Sequence, residues 1–177
     1  MSKRTNLREF QQGVIDRLQA KDRAEDQIST LGVQIAGQNW LVDMCDISEV
    51  LPLPQLTPVP LVKPWFLGVA NVRGNLYSVA DMAAYQQKGG ATSPFATSGG
   101  SGQVSRTAAN RVLLVAERYA FNAALLVDCV LGLRNAQAWA CSEVQGQTQY
   151  RDVQGGVWGK LDIAGLLAQP DFLQIGA

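Results

Sequence analysis

The chain has 177 residues, 47% of them hydrophobic and 17% charged, a length that suits about one domain and suffices for a packed core. Lys plus Arg number 15 and Asp plus Glu number 15, so the formal net charge is zero. That balance argues against a groove tracking nucleic acid and against a polybasic membrane anchor, both of which need a basic excess.

Residues 1–26 form a densely charged stretch in which Leu7, Phe10, Val14 and Leu18 recur at helical spacing, with Ile15 beside them. Asn6 can cap and Glu9 lies three positions on. The pattern predicts an amphipathic helical extension packed on the domain body or on a partner. From Gln27 the period becomes two: Leu31, Val33 and Ile35 alternate with Thr30, Gly32 and Gln34. Gly37-Gln38-Asn39 supplies a turn and Trp40-Leu41-Val42 begins a second strand. A connector, Asp46-Ile47-Ser48-Glu49-Val50, leads to a passage holding Pro52, Pro54, Pro58, Pro60 and Pro64. Proline fixes φ and lacks an N–H, so this density predicts an ordered, extended loop rather than a helix or a central strand.

Residues 67–82 read as a hairpin turning at Gly74-Asn75, which pairs Val72 with Tyr77 and Ala70 with Val79 on an apolar face. The same register pairs Arg73 with Leu76 and Asn71 with Ser78 on a mostly polar face. Residues 86–110 are rich in Gly and Ser and predict a flexible surface insertion. Strands resume at Arg111-Val112-Leu113-Leu114-Val115 and Ala123-Ala124-Leu125-Leu126-Val127, the latter followed by Asp128 and Val130. The stretch 136–157 gives no clear element. Val157 to Leu167 reads as a strand passing into a short helix, with Asp162 at the helix start. The expected organisation is a helical extension over 1–26 and one mainly β domain over 27–177, interrupted at about 86–110.

The chain has no histidine, which removes Ser-His-Asp and Cys-His catalysis, the usual zinc sites and phosphohistidine chemistry. Cys45, Cys129 and Cys141 are odd in number and form no C-x-x-C, so they read as reduced thiols filling space. No P-loop, dinucleotide fingerprint or EF-hand loop is present. Asp43, Asp46 and Glu49 lie close in sequence and read as a solvated loop edge rather than a metal or acid–base cluster. The tryptophans Trp40, Trp65, Trp139 and Trp158 read as core or interface packing. No apolar run exceeds five residues and the charged start lacks the apolar core of a signal peptide. A cytoplasmic protein without catalytic residues, metal or cofactor is expected.

The segment Gly68-Val69-Ala70-Asn71-Val72-Arg73-Gly74, followed by Val79-Ala80-Asp81, resembles the central signature of the CheW family, G-[VI]-x-N-[LV]-R-G and then a V-x-D step. Three other blocks follow the family's order: the connector 46–50, the strand Ala124 to Val130, and the terminal Leu161 to Leu167. The resemblance implies a fold of two small intertwined, SH3-like β-barrels with a groove between them and a short C-terminal helix. It also implies an adaptor that binds the cytoplasmic tip of a methyl-accepting chemoreceptor and the regulatory domain of a CheA-type histidine kinase, recruited to inner-membrane receptor arrays. By motif, Ile47 and Glu49 match connector positions associated with receptor contact. Gly68, Asn71, Arg73 and Gly74 match the loop associated with receptor coupling and kinase control, and Leu125, Val127 and Asp128 match the strand bordering the groove. Ala124 stands in place of the family's usual Gly, and Met82-Ala83-Ala84 in place of its common Leu-Arg step. The extension and the long insertion resemble the PilI-type adaptors of type IV pilus twitching motility more than a minimal flagellar chemotaxis adaptor.

Other readings are a flagellar chemotaxis adaptor, a small β-barrel enzyme, a single-strand nucleic-acid binder on an OB-like barrel, and a regulatory piece of a larger kinase or receiver-bearing adaptor. Absence of histidine and of a nucleophile–base pair opposes the enzyme, and zero net charge opposes the nucleic-acid binder.

Overall fold

The computed structural model describes residues 30–88, 109–144 and 147–176. The expected helix over 1–26 lies outside the described residues, as does nearly all of the expected insertion. The strands are β1 (Thr30–Ile35), β2 (Gln38–Asp43), β3 (Ile47–Pro52), β4 (Leu56–Thr57), β5 (Phe66–Val72), β6 (Asn75–Asp81), β7 (Arg111–Val115), β8 (Ala123–Val127), β9 (Cys129–Arg134), β10 (Ala140–Val144), β11 (Gln147–Arg151) and β12 (Val157–Lys160). The helices are short: α1 (Met82–Lys88), α2 (Ile163–Ala168) and α3 (Pro170–Leu173).

The strands form two six-stranded sheets, one ordered β10-β11-β12-β2-β1-β9 and the other β3-β7-β8-β6-β5-β4. Neighbours are antiparallel except β12 beside β2 and β6 beside β8. The chain enters the first sheet with β1 and β2, builds the whole second sheet, and returns to finish the first.

β7 and β8 are buried along both faces, which explains their unbroken apolar runs. Their odd-numbered residues Leu113, Val115, Leu125 and Val127 join Leu31, Val33, Ile35 and Val42 of the first sheet, with Ile163, Leu166 and Phe172 of α2 and α3, in a core shared by both sheets. Their even-numbered residues Val112, Leu114, Ala124 and Leu126 pack with Ala70, Val72, Tyr77 and Val79 on the other face, roofed by Leu51, Leu53 and Leu56. A third cluster, Leu41, Ala136 and Trp158, covers the far face of the first sheet. Gly32 permits that packing, because a Cβ there would lie 3.0 Å from the Trp158 ring.

The expectation of two closed barrels is overturned. Each sheet packs against its own apolar cluster, yet among the described residues each keeps two edge strands that pair on one side only. In the second sheet the edges are β3 and β4, which would have to exchange backbone hydrogen bonds to close. β3 ends at Pro52, which has no N–H, and β4 is only two residues long between Pro54 and Pro58, so little strand edge is available for a closing ladder. In the first sheet, β9 carries an extra residue where the register with β1 shifts between Gly32 and Val33, which bends that edge.

Asp162 starts α2 as expected, its carboxylate accepting from Gly165 N at 3.0 Å. The cysteines depart from expectation: Cys45 and Cys141 are exposed and Cys129 half-buried, so they do not fill the core. The unreadable stretch 136–157 contains the β10–β11 ribbon, whose residues alternate without a buried face and therefore carry no periodic apolar signal.

Candidate partner-binding surface

The hairpin of β5 and β6 turns at Arg73-Gly74, not at Gly74-Asn75. Val72 pairs with Asn75, Asn71 with Leu76 and Ala70 with Tyr77. Arg73 has φ +53 and Gly74 φ +90, both positive as a primed two-residue turn requires. The Asn71 side chain accepts from Gly74 N at 2.9 Å and fixes the turn. The shift from the expected register is two residues, so every side chain keeps its face: Val72 and Tyr77 are buried while Asn71 and Leu76 are exposed.

Placed in the turn, Arg73 projects to solvent and its Nη2 donates to Glu49 Oε1 on β3 at 2.6 Å. The hairpin tip and the β3 edge, though separated in the sheet order, are thus bridged by an ion pair with the Arg73 side chain 74% exposed. Glu49, Asn71, Arg73 and Gly74 form one cluster. Two apolar side chains that carry no sequence signal lie on the neighbouring segments. Leu76 is 62% exposed on β6. Ser78 N donates to Asn122 O, which draws the loop carrying the half-exposed Phe121 alongside the same strand. Exposure of a large apolar side chain is not visible in a one-dimensional pattern, so only the structure reveals this pair.

The other motif residues lie elsewhere. Gly68, at φ +130, sits where β4 crosses β5, and a Cβ would fall 2.3 Å from Thr57 O. Ile47, Leu125 and Val127 are buried in the shared core and present no surface. Asp128 accepts from Gly37 N at 3.2 Å, tying the start of β9 to the β1–β2 turn.

The three carboxylates of 43–49 do not form a solvated edge. Each has its own cation: Asp43 with Lys160 at 2.7 Å, Asp46 with Arg118, and Glu49 with Arg73. Asp46 is buried and also accepts from Tyr119 Oη at 2.7 Å. Burial first, then that hydrogen bond, raises the Tyr119 phenol above its ordinary value. Burial lowers the Lys160 ammonium, but the hydrogen bond and charge of Asp43 outweigh it and leave Lys160 above its ordinary value. Lys160 and Asp43 border a cavity of about 280 Å³ lined also by Leu41, Trp139 and Tyr150. Among the described residues, no group of three or more His, Cys, Asp or Glu side chains is placed to hold a metal ion. No helix there is long and apolar enough to cross a membrane.

Residues 29–170 match the model of the CheW-like domain. The protein PilI of Pseudomonas aeruginosa is 32% identical over 118 residues, a stretch that covers 67% of this chain and 58% of PilI. The scaffolding protein TtCheW from Thermoanaerobacter tengcongensis has a similar fold, with a TM-score of 0.60 at 16% identity over 77% of this chain and 89% of that one. With most of its length inside the family's domain and its strands laid out accordingly, the chain belongs to the CheW-like domains, a family of non-catalytic scaffold and adaptor modules.

Proposed function

We propose that the chain couples the cytoplasmic tip of a methyl-accepting chemoreceptor to the regulatory domain of a CheA-type histidine kinase, in a system controlling type IV pilus twitching motility. It works in the cytoplasm, recruited to receptor arrays at the inner membrane. The observation that carries this reading is the surface at the hairpin tip. A turn fixed by Asn71 presents Arg73, paired with Glu49, beside the exposed Leu76 and Phe121. Exposed apolar side chains beside an arginine with donors to spare are the composition of a protein–protein contact. The likeness to PilI supports the pilus system over the flagellar one.

An exposed ion pair within a chain contributes about 0–1 kcal/mol to stability, whereas truncating an arginine at an interface centre costs about 2 kcal/mol of binding or more. Arg73→Ala therefore leaves the urea midpoint nearly unchanged and weakens receptor-dependent activation of the kinase in a reconstituted receptor–adaptor–kinase mixture. Unchanged activation with intact stability would remove Arg73 from the coupling surface. Loss of more than about 2 kcal/mol of stability would make it a structural residue.

A further inference from the structure

Strand edges expose unpaired peptide groups, and proteins guard them with prolines, bulges, charges or very short strands. Among the described residues, three of the four edges are guarded. β3 ends in Pro52 and carries a bulge between Ile47 and Glu49, β4 is two residues long, and β9 is bulged opposite Gly32. β10 differs. It is Ala140-Cys141-Ser142-Glu143-Val144, without proline, glycine or bulge and with Glu143 as its single charge, and pairs with β11 in unbroken register from Ala140↔Arg151 to Val144↔Gln147. All five of its residues are exposed, so the ribbon projects with β10 outermost.

We propose that β10 is a self-association edge that pairs antiparallel with β10 of a second copy of this chain, across a two-fold axis at Ser142. The strand fits itself in that register. Centring on Ser142 is the arrangement that pairs all five residues, setting Ala140 against the second copy's Val144, Ser142 against Ser142, and Cys141 against Glu143. One face then reads small apolar, hydroxyl, small apolar, and hydroxyl pairs and apolar pairs are favourable across strands. Glu143 is the strand's one charge, and this register keeps the two copies of it apart, whereas centring on Glu143 would oppose them. The zero net charge of the chain adds no long-range repulsion between copies. The contact is isologous, closes after two copies, and continues the first sheet from one molecule into the next. It is small, so association is weak and depends on concentration.

Sedimentation velocity of the full chain between about 10 μM and 1 mM reads this directly. A monomer–dimer equilibrium is expected, and Ser142→Asp, which opposes two carboxylates at the axis on an already exposed site, weakens it about tenfold or more. Register is read by mild oxidation in a background of Cys45→Ser, Cys129→Ser and Cys141→Ser. Ser142→Cys links to itself; Ala140→Cys does not, but links when mixed with Val144→Cys. A monomer throughout the range overturns the proposal. So does a dimer indifferent to Ser142→Asp, or self-linking at position 140.

Discussion

Two glycines of the signature loop answer to different demands. At Gly68 the obstacle is space as well as φ, since a Cβ would meet Thr57 O at 2.3 Å. Gly68→Ala must therefore push β4 off β5, and a loss of about 2–4 kcal/mol in urea unfolding is expected. At Gly74 nothing lies within 4 Å and only the positive φ resists a side chain, so Gly74→Ala costs about 1–2 kcal/mol. Asp152 offers a pH-dependent test. Its Oδ2 accepts from the Trp158 indole at 2.9 Å and its Oδ1 from Gly156 N at 2.7 Å. The indole hydrogen bond is the main cause that holds this carboxyl below its ordinary value, aided by the backbone donors. A depressed folded value stabilises above the unfolded value, near 3.9, and the gain disappears as pH falls through the folded value. The stability gap between wild type and Asp152→Ala is thus full at pH 7 and narrows below about pH 4, as denaturant titrations at a series of pH values will show.

The elements show what a one-dimensional pattern can and cannot specify. Alternation assigned Val72 and Tyr77 to the inside of the β5–β6 hairpin, and that assignment holds. It could not fix the register, because a shift of two residues leaves every face unchanged. The choice fell instead to the Asn71 side chain, whose bond to Gly74 N stabilises a turn one residue earlier than the Gly-Asn pair suggests. Arg73 consequently moved from beside the turn into it. The ion pairs of the carboxylates of 43–49 are hidden from sequence for a related reason: Lys160, Arg118 and Arg73 come from three distant segments, and no local spacing announces them. Capping, by contrast, is local chemistry. Asp162 was legible at the start of α2, and Asp162→Ala, by releasing Gly165 N, should lower the unfolding free energy by about 1 kcal/mol.

Across the molecule the shared core is the determinant of unity. Leu125 of the second sheet is fully buried among Leu31, Val33 and Ile35 of the first and Ile163 of α2. Leu125→Ala leaves a cavity there and costs about 2–5 kcal/mol. Because the cavity borders both sheets, circular dichroism and tryptophan fluorescence should still report one coincident transition, displaced to lower denaturant. Separate transitions would mean that each sheet is stable alone. The four-block order of the family resemblance was readable across most of the chain, while the openness of the sheets was not, since edge pairing depends on contacts between residues far apart in sequence.

The return of the chain to its first sheet has a consequence on the ribosome. β1 and β2 emerge early, but β1's outer neighbour begins at Cys129 and β2's at Val157. At about 5–20 residues per second, the stretch from Asp43 to Cys129 takes roughly 4–17 s to synthesise, during which the first two strands have only each other. The second sheet, contiguous from Ile47 to Val127, is complete only as Cys129 is made, and can assemble before Val157 is added and offer its Leu113–Leu125 face as a template. Slow synonymous codons between Val127 and Val157 would lengthen the interval in which the second sheet is complete and the first is not, without altering the product, and should raise the fraction of nascent chains that reach the native state.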